Sequence, residues 1–165
     1  MKKILYYGGQ KSGKSLLAEK KTLNLATSTP YYIATYNNAY EDKEMQRRIS
    51  KHQSQRQENF ITIEEPLDLT KIITPNNTYL IDCISMWILN TLDKTEEELL
   101  SQLSTITQIE SNIVFVLNDV TTGVIPMDRE SRKFVDRTGI VGQYLSKISD
   151  EVYEAKFGIE IKIKE

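Results

Sequence analysis

The stretch "KKILYYGGQKSGKS", residues 2–15, decides the fold of this chain. Its first half, "KKILYY", is the short apolar run of a β-strand and leads into two glycines. From Lys14 to about Ala26 the pattern is helical, and the turn-rich "TSTP" ends it. The sequence therefore predicts a strand, a glycine turn and a helix in direct succession.

The turn between this strand and this helix carries a phosphate-binding pattern. Gly8, Gly13, Lys14 and Ser15 satisfy G-x-x-x-x-G-K-[ST], and we call residues 8–15 the P-loop. Glycine permits positive φ angles, so that successive N–H groups point inward at the positive end of the helix. The Lys14 ammonium can then reach the outer phosphates of a nucleotide, and the Ser15 hydroxyl can ligate a magnesium ion bridging them.

A second strand supplies an acidic residue of the kind that a P-loop needs. The segment "TYLIDC" is a nearly continuous apolar run, typical of a buried parallel strand, and Asp82 lies at its end. In P-loop enzymes an acidic residue at this place lies near the metal. An ordinary turn-forming aspartate is the alternative interpretation. Given the P-loop, we expect Ser15 and Asp82 together to hold Mg²⁺.

The remaining elements alternate between strands and helices. Strands are predicted in "YYIAT", "FITIEEP", "NIVFVLN" and "GIEIKIKE". Helices are predicted over residues 41–54, from Ser85 to about Leu92, from a Thr95 cap, and after "GVIP". The last helix is predicted from apolar positions at spacings of four and three: Phe134, Thr138, Val141, Leu145, Ile148 and Val152. This alternation predicts a single domain, residues 1–165, with the three-layer α/β fold of a RecA-like P-loop NTPase and a mostly parallel sheet.

Composition narrows the class of protein. The chain has 165 residues, 39% of them hydrophobic, and a net charge of −2. Without a basic field we expect no nucleic-acid partner. The apolar runs are too short for a membrane span, and the N-terminal one is too short for a signal peptide. Cys83 is the only cysteine, so an internal disulfide is impossible and a cytoplasmic location is expected.

Beyond the P-loop, several segments follow in a recognisable order. They are "YIAT", "RRISKHQSQR", "FITIEEPLDL", "LIDCISMWILN" and "NDVTTGVIPMDRESRKFVDRTG". Together with "GGQKSGKS" they resemble the bifunctional adenosylcobinamide kinase / adenosylcobinamide-phosphate guanylyltransferase family of cobalamin biosynthesis. The resemblance spans nearly the whole chain and is far more specific than a P-loop, which alone indicates only a nucleoside triphosphate.

The resemblance assigns a role to His52, the only histidine of the chain. It implies that His52 attacks the α-phosphorus of GTP, expels pyrophosphate and holds GMP through a P–N bond. Adenosylcobinamide phosphate then accepts the GMP, giving adenosylcobinamide-GDP. The same protein would first phosphorylate adenosylcobinamide with ATP or GTP, with Lys14 as the other catalytic residue. Neutral imidazole is a competent nucleophile near pH 7.

The resemblance also implies binding residues and an assembly state. The phosphates of GTP or ATP would contact Gly8, Gly9, Gln10, Lys11, Ser12, Gly13, Lys14 and Ser15. The loop after the second strand would approach the nucleotide with Thr35, Tyr36 and Asn37. The guanosine would contact Gln53, Ser54, Gln55, Arg56 and Glu64, and Asp82 would take the acidic position at the magnesium side. The family forms homotrimers, so a homotrimer is implied here.

The chain departs from the family pattern at a few positions. Lys11 stands where arginine is usual, which loses the planar guanidinium fork. Phe60 replaces a tryptophan, Asp119 replaces a glutamate, and Gly142 stands where the family has asparagine. These changes concern the second substrate more than the nucleotide, and no local motif identifies a corrinoid site.

Two other interpretations stay open at the level of sequence. In the first, the chain is an ordinary P-loop small-molecule kinase with His52 on its surface, and the arginine-rich segment from Arg47 to Arg56 is its lid. In the second, it is a RecA-type NTP-binding module with slow hydrolysis, which would need a partner surface. A covalent GMP adduct would separate the family function from both.

Overall fold

The computed structural model describes residues 1–37, residue 47 and residues 58–165. The helix predicted over residues 41–54 is described only at Arg47, which is helical and exposed. His52 and residues 53–56 lie outside the described residues.

Within the described ranges, seven strands form one sheet in the order β3-β2-β4-β5-β1-β6-β7. Their bounds are β1 Lys3–Gly8, β2 Tyr31–Ala34, β3 Ile61–Glu64, β4 Thr78–Asp82, β5 Asn112–Asn118, β6 Glu151–Lys156 and β7 Ile159–Lys164. All neighbouring strands are parallel except β6 and β7, which pair antiparallel. The central strands are almost fully buried, which explains their continuous apolar sequences. The prediction of a mostly parallel sheet is confirmed.

Helices connect these strands. The described part of the chain contains α1 Lys14–Leu25, α2 Ile84–Asn90, α3 Glu96–Thr107, α4 Arg129–Ile148 and a 3₁₀ turn, Leu69–Lys71. The predicted capping box of α3 is present: the Glu98 N–H donates to Thr95 Oγ1 at 3.2 Å, and the Thr95 N–H donates to Glu98 Oε2 at 3.0 Å. Among the described residues, no helix is both long and apolar enough to cross a membrane.

Helices cover both faces of the sheet. Successive strand residues point to opposite faces, so each strand contributes side chains to both helix–sheet interfaces. On one face Ile4 and Tyr6 pack with Ala18 of α1. On the other face Leu5 packs in a cluster that includes Trp87 of α2 and other side chains of α3 and α4. The three-layer arrangement predicted from the alternation of elements is therefore confirmed.

The long helix predicted through Val152 ends earlier. α4 stops at Ile148, Ser149 has extended backbone, and Val152 lies in β6. Val152 pairs in register with Leu5 of β1 and is buried in the same cluster as Leu145. Because both residues face one core, the apolar spacing continues past the end of the helix. The periodicity therefore does not show where the helix ends. The separate strand β6 was missed for this reason.

Candidate nucleotide-binding site

The P-loop connects the end of β1 to the start of α1 and depends on two glycines. Gly13, the N-cap of α1, has φ 91°, a left-handed conformation that glycine adopts without strain. A Cβ on Gly8 would lie 2.5 Å from the Ala155 carbonyl oxygen and 2.6 Å from Ser12 Oγ. A side chain at residue 8 would clash, and a side chain at residue 13 would strain the backbone. The loop therefore needs glycine at both positions.

The turn between β6 and β7 supports this loop from one side. The Gly158 N–H donates to the Ser12 carbonyl at 2.7 Å. A Cβ on Gly13 would lie 3.2 Å from Gly158 Cα, so the two backbones are in close contact. The sequence did not reveal this support, since it depends on β6 and on a contact between distant parts of the chain.

Lys14 lies inside the P-loop. It has 8% of its surface exposed, and its Nζ donates to the Gly9 carbonyl at 3.1 Å. Burial lowers the pKa of the Lys14 ammonium, and the neighbouring Cys83 and Asp82 partly oppose this effect. A buried ammonium with one carbonyl partner is a suitable counter-charge for phosphate.

Asp82 meets the P-loop from the end of β4. Its Oδ1 lies 3.5 Å from Ser15 Oγ, and its Oδ2 accepts a hydrogen bond of 2.7 Å from the Tyr32 hydroxyl. Two oxygens that bind one Mg²⁺ as adjacent octahedral ligands lie about 3 Å apart. The Ser15 and Asp82 oxygens therefore fit a shared magnesium ion after a small adjustment.

Thr35 holds the end of β2 against the segment that follows Asp82. Its buried hydroxyl donates to the Cys83 carbonyl at 2.6 Å and accepts from the Cys83 N–H at 3.0 Å. The Asn90 side chain donates to the Thr35 carbonyl at 2.7 Å. Thr35 was predicted to lie near the nucleotide; the structure shows its side chain on the backbone beside Asp82. Sequence reasoning did not single out Asn90.

Tyr36 and Glu64 are brought together at the carboxyl ends of β2 and β3. The Tyr36 hydroxyl donates a hydrogen bond to Glu64 Oε1, and Asn37 follows directly. Parallel strands that end at one edge place these side chains on the same edge as the P-loop and Asp82. Residues 53–56, predicted to contact guanosine with Glu64, lie outside the described residues.

Two of the departures from the family pattern line one cavity. It has a volume of about 400 Å³ and lies between α4 and strands β1, β5 and β6. Asp119 and Gly142 both contribute to its wall, with Tyr7 and Asn118. The Asp119 N–H donates to the Gly8 carbonyl at 2.8 Å, which links this cavity to the P-loop. A Cβ on Gly142 would meet Leu117 Cδ2 at 3.3 Å.

A solved structure has the same fold. The flagellar accessory protein FlaH from Methanocaldococcus jannaschii superposes with a TM-score of 0.53 at 14% identity, over 98% of this chain and 77% of that one. At this identity the likeness concerns the fold alone. It agrees with the α/β fold predicted from the P-loop and the alternating elements.

Sequence comparison supplies the family. The bifunctional adenosylcobalamin biosynthesis protein CobU of Escherichia coli is 32% identical, over 98% of this chain and 99% of that protein. The corresponding protein CobP of Pseudomonas aeruginosa is 30% identical, over 97% and 96%. The profile of the CobU family, cobinamide kinase / cobinamide phosphate guanyltransferase, matches residues 4–163. This match includes the P-loop and Asp82, and the chain therefore belongs to the cobinamide kinase / cobinamide phosphate guanyltransferase family.

Proposed function

We propose that this chain phosphorylates adenosylcobinamide with ATP or GTP and then transfers GMP from GTP to adenosylcobinamide phosphate. The observation that carries the proposal is the P-loop, in which Lys14 is buried and Ser15 faces Asp82, within a family match over residues 4–163. The products would be adenosylcobinamide-GDP and pyrophosphate. The description of the family names both half-reactions, and the relatives are named as bifunctional proteins of adenosylcobalamin biosynthesis.

Magnesium fits the oxygen donors beside the P-loop. Ser15 Oγ and Asp82 Oδ1 are hard ligands, which Mg²⁺ prefers. Within the part of the chain that the structure describes, no group of three His, Cys, Asp or Glu side chains gathers as a metal cluster. Magnesium usually uses one or two protein ligands together with phosphates and water. When bound, it would neutralise charge that develops on the phosphate oxygens.

In the kinase step the protein mainly positions the reacting groups and stabilises the negative charge on the phosphates. The P-loop N–H groups and Lys14 would hold the β- and γ-phosphates. The substrate hydroxyl attacks the γ-phosphorus, the bond to the β-phosphate oxygen breaks, and ADP or GDP leaves. Because such a transfer needs chiefly alignment and charge stabilisation, no covalent protein intermediate is required.

The guanylyl step would use His52 as nucleophile. A ring nitrogen attacks the α-phosphorus of GTP, the bond to the β-phosphate oxygen breaks, and pyrophosphate leaves. A phosphate oxygen of adenosylcobinamide phosphate then attacks the same phosphorus, the P–N bond breaks, and the histidine is regenerated. Support for His52 comes from its place in "RRISKHQSQR" and from the family match, since residue 52 lies outside the described residues.

In the guanylyl step, the guanosine of GTP would lie at the carboxyl ends of β2 and β3. Tyr36 and Glu64 meet there, and Asn37 follows. Gln53 to Arg56 would complete this site. A homotrimer, a cytoplasmic location and the absence of a nucleic-acid partner remain predictions, from the family resemblance and from the net charge of −2.

Labelled GTP tests this function directly. With Mg²⁺ and α-labelled GTP, the protein should retain label after denaturation, and with γ-labelled GTP it should retain none. A phosphoramidate is acid-labile and base-stable, so brief acid should release GMP. His52→Asn should abolish the adduct and guanylyl transfer but spare phosphorylation of adenosylcobinamide, while Gln57→Asn serves as the matched control.

Each alternative predicts a different result. A simple P-loop kinase would phosphorylate its substrate without ever retaining α-label. A RecA-type module would hydrolyse nucleotide slowly and phosphorylate no corrinoid. A folded His52→Asn variant that still traps GMP would remove His52 from the mechanism. Loss of both activities in that folded variant would contradict the separation of roles.

A further inference from the structure

The turn between β6 and β7 has an unusual residue at its first position. Lys156 pairs with Ile159, so Phe157 and Gly158 form a two-residue hairpin turn, with φ 50° and 78°. Turns with positive φ at both positions favour Asn-Gly or Asp-Gly. An aromatic residue is poorly suited to the left-handed region, since its Cβ crowds the backbone there.

The packing of the protein does not explain this choice. Phe157 has 89% of its surface exposed, so its ring adds little to the hydrophobic core. A strained backbone position with no gain in burial is a reason to look for function. Asparagine would make the same turn with less strain and without exposing an aromatic ring to water.

The position of the turn indicates what the ring is for. The Gly158 N–H donates to the Ser12 carbonyl of the P-loop, and the backbone of Gly158 touches Gly13. Phe157 directly precedes Gly158 in the chain, and consecutive Cα atoms lie about 3.8 Å apart. In the sheet, β1 separates β5 and β4, with Asp82, from β6 and β7. Phe157 therefore flanks the P-loop on the side away from the metal-side carboxylate.

We propose that Phe157 is a base-stacking residue for the nucleoside triphosphate that donates its γ-phosphate in the kinase step, with its phosphates in the P-loop. This inference rests on the proposed nucleotide binding by Lys14 and Ser15. With the outer phosphates at the Asp82 side, the nucleoside would extend towards the β6–β7 turn. Every nucleobase has a π-face, so stacking tolerates both adenine and guanine.

A tryptophan at this position reports on stacking directly. Trp87, the only tryptophan, is fully buried, so the emission of a Phe157→Trp variant at long wavelength comes from the turn. We expect ATP, a donor for the kinase step, to quench this emission, because a stacked base contacts the indole. Inorganic tripolyphosphate, which has no base, should bind the P-loop without quenching. Equal quenching by tripolyphosphate, or no quenching by saturating nucleotide, would overturn the proposal.

Affinity measurements give an independent test. Phe157→Asn should weaken ATP binding by about tenfold, the range of a lost stacking contact, while tripolyphosphate binding stays unchanged. Phe157→Tyr, which keeps an aromatic ring, should retain the wild-type affinity. The asparagine variant should unfold at a temperature no lower than wild type, because it suits the turn.

The outcomes separate this inference from the function on which it rests. If the wild type binds both ligands and Phe157→Asn binds ATP equally well, stacking is wrong and the P-loop role stands. If the wild type binds neither ATP nor tripolyphosphate, the nucleotide site is wrong, and the stacking role falls with it.

Discussion

The Tyr32 hydroxyl donates a hydrogen bond of 2.7 Å to Oδ2 of Asp82, and Oδ1 of the same carboxylate lies 3.5 Å from Ser15 Oγ. Tyr32 is 4% exposed, and its ring lies edge-on to Phe60. One oxygen of Asp82 is thus held by a packed side chain while the other faces the P-loop. Tyr32 is therefore a positioning residue for the carboxylate that we assign to Mg²⁺.

Tyr32→Phe should keep the packing and remove this hydrogen bond. We expect the Mg²⁺ concentration for half-maximal kinase activity to rise by roughly tenfold, because outer ligand partners usually contribute this much to metal affinity. Nucleotide binding in EDTA should not change. The control is Tyr31→Phe, whose ring stacks on Tyr79 instead. Superimposable Mg²⁺ titrations for the two variants would show that Tyr32 does not orient the metal site.

Asp82→Asn should have a larger effect in the same assay. It removes the charge but keeps the size, so Mg²⁺-dependent turnover should fall by roughly 100-fold. Binding of nucleotide without metal should change little. Asp93→Asn, at an exposed position after α2, controls for the loss of one negative charge. Equal metal dependence in both variants would contradict the assignment of Asp82.

Lys14→Ala should remove most nucleotide binding. We assign the buried Lys14 ammonium as the charged partner of phosphate within the loop, so we expect the Kd for GTP to rise by roughly 100-fold. Both half-reactions should fall if they share this loop. Calorimetry with GTP measures the effect, and Lys20→Ala on the exposed side of α1 is the control. Unchanged GTP affinity would rule out the phosphate role of Lys14.

Stability in acid should depend on Glu151. Its carboxylate accepts hydrogen bonds from the Tyr153 hydroxyl, Lys2 Nζ at 2.9 Å and Lys21 Nζ at 3.2 Å. Burial alone would raise the pKa of Glu151, but these hydrogen bonds outweigh it and bring the pKa to about 2 from an ordinary value of 4.5. The ionised form thus stabilises the fold above about pH 4.5, and this contribution is lost as the pH falls towards 2.

Glu151→Gln should lower the free energy of unfolding at pH 7 by about 2 kcal/mol, since it removes hydrogen bonds to a charged group. Urea unfolding at a series of pH values measures this. The gap between wild type and variant should narrow as the pH falls from 4.5 towards 2, because the wild-type carboxyl becomes protonated. The control, Glu154→Gln on the same strand, should show a smaller gap at pH 7. A pH-independent gap would mean that the charge of Glu151 contributes nothing.

Features set by neighbouring residues could be predicted from the sequence. The P-loop lies within eight consecutive residues between a strand and a helix, and the capping box of α3 joins Thr95 to Glu98. The apolar runs of β4 and β5 predicted buried parallel strands, because both faces of such strands are covered. The order of segments also identified the family, which the profile match confirms.

Tertiary structure decided the contacts between parts distant in the chain. The end of α4, the strand β6 and the Gly158 contact to Ser12 all depend on where residues 149–158 pack. Tyr32 and Asp82 are likewise far apart in sequence and meet only because β2 and β4 are neighbours in the sheet. Local periodicity reports which side of an element is buried, but it does not report which distant element covers it. The sequence thus determined the loop to which we assign phosphate binding, and the fold decided which side chains orient and flank it.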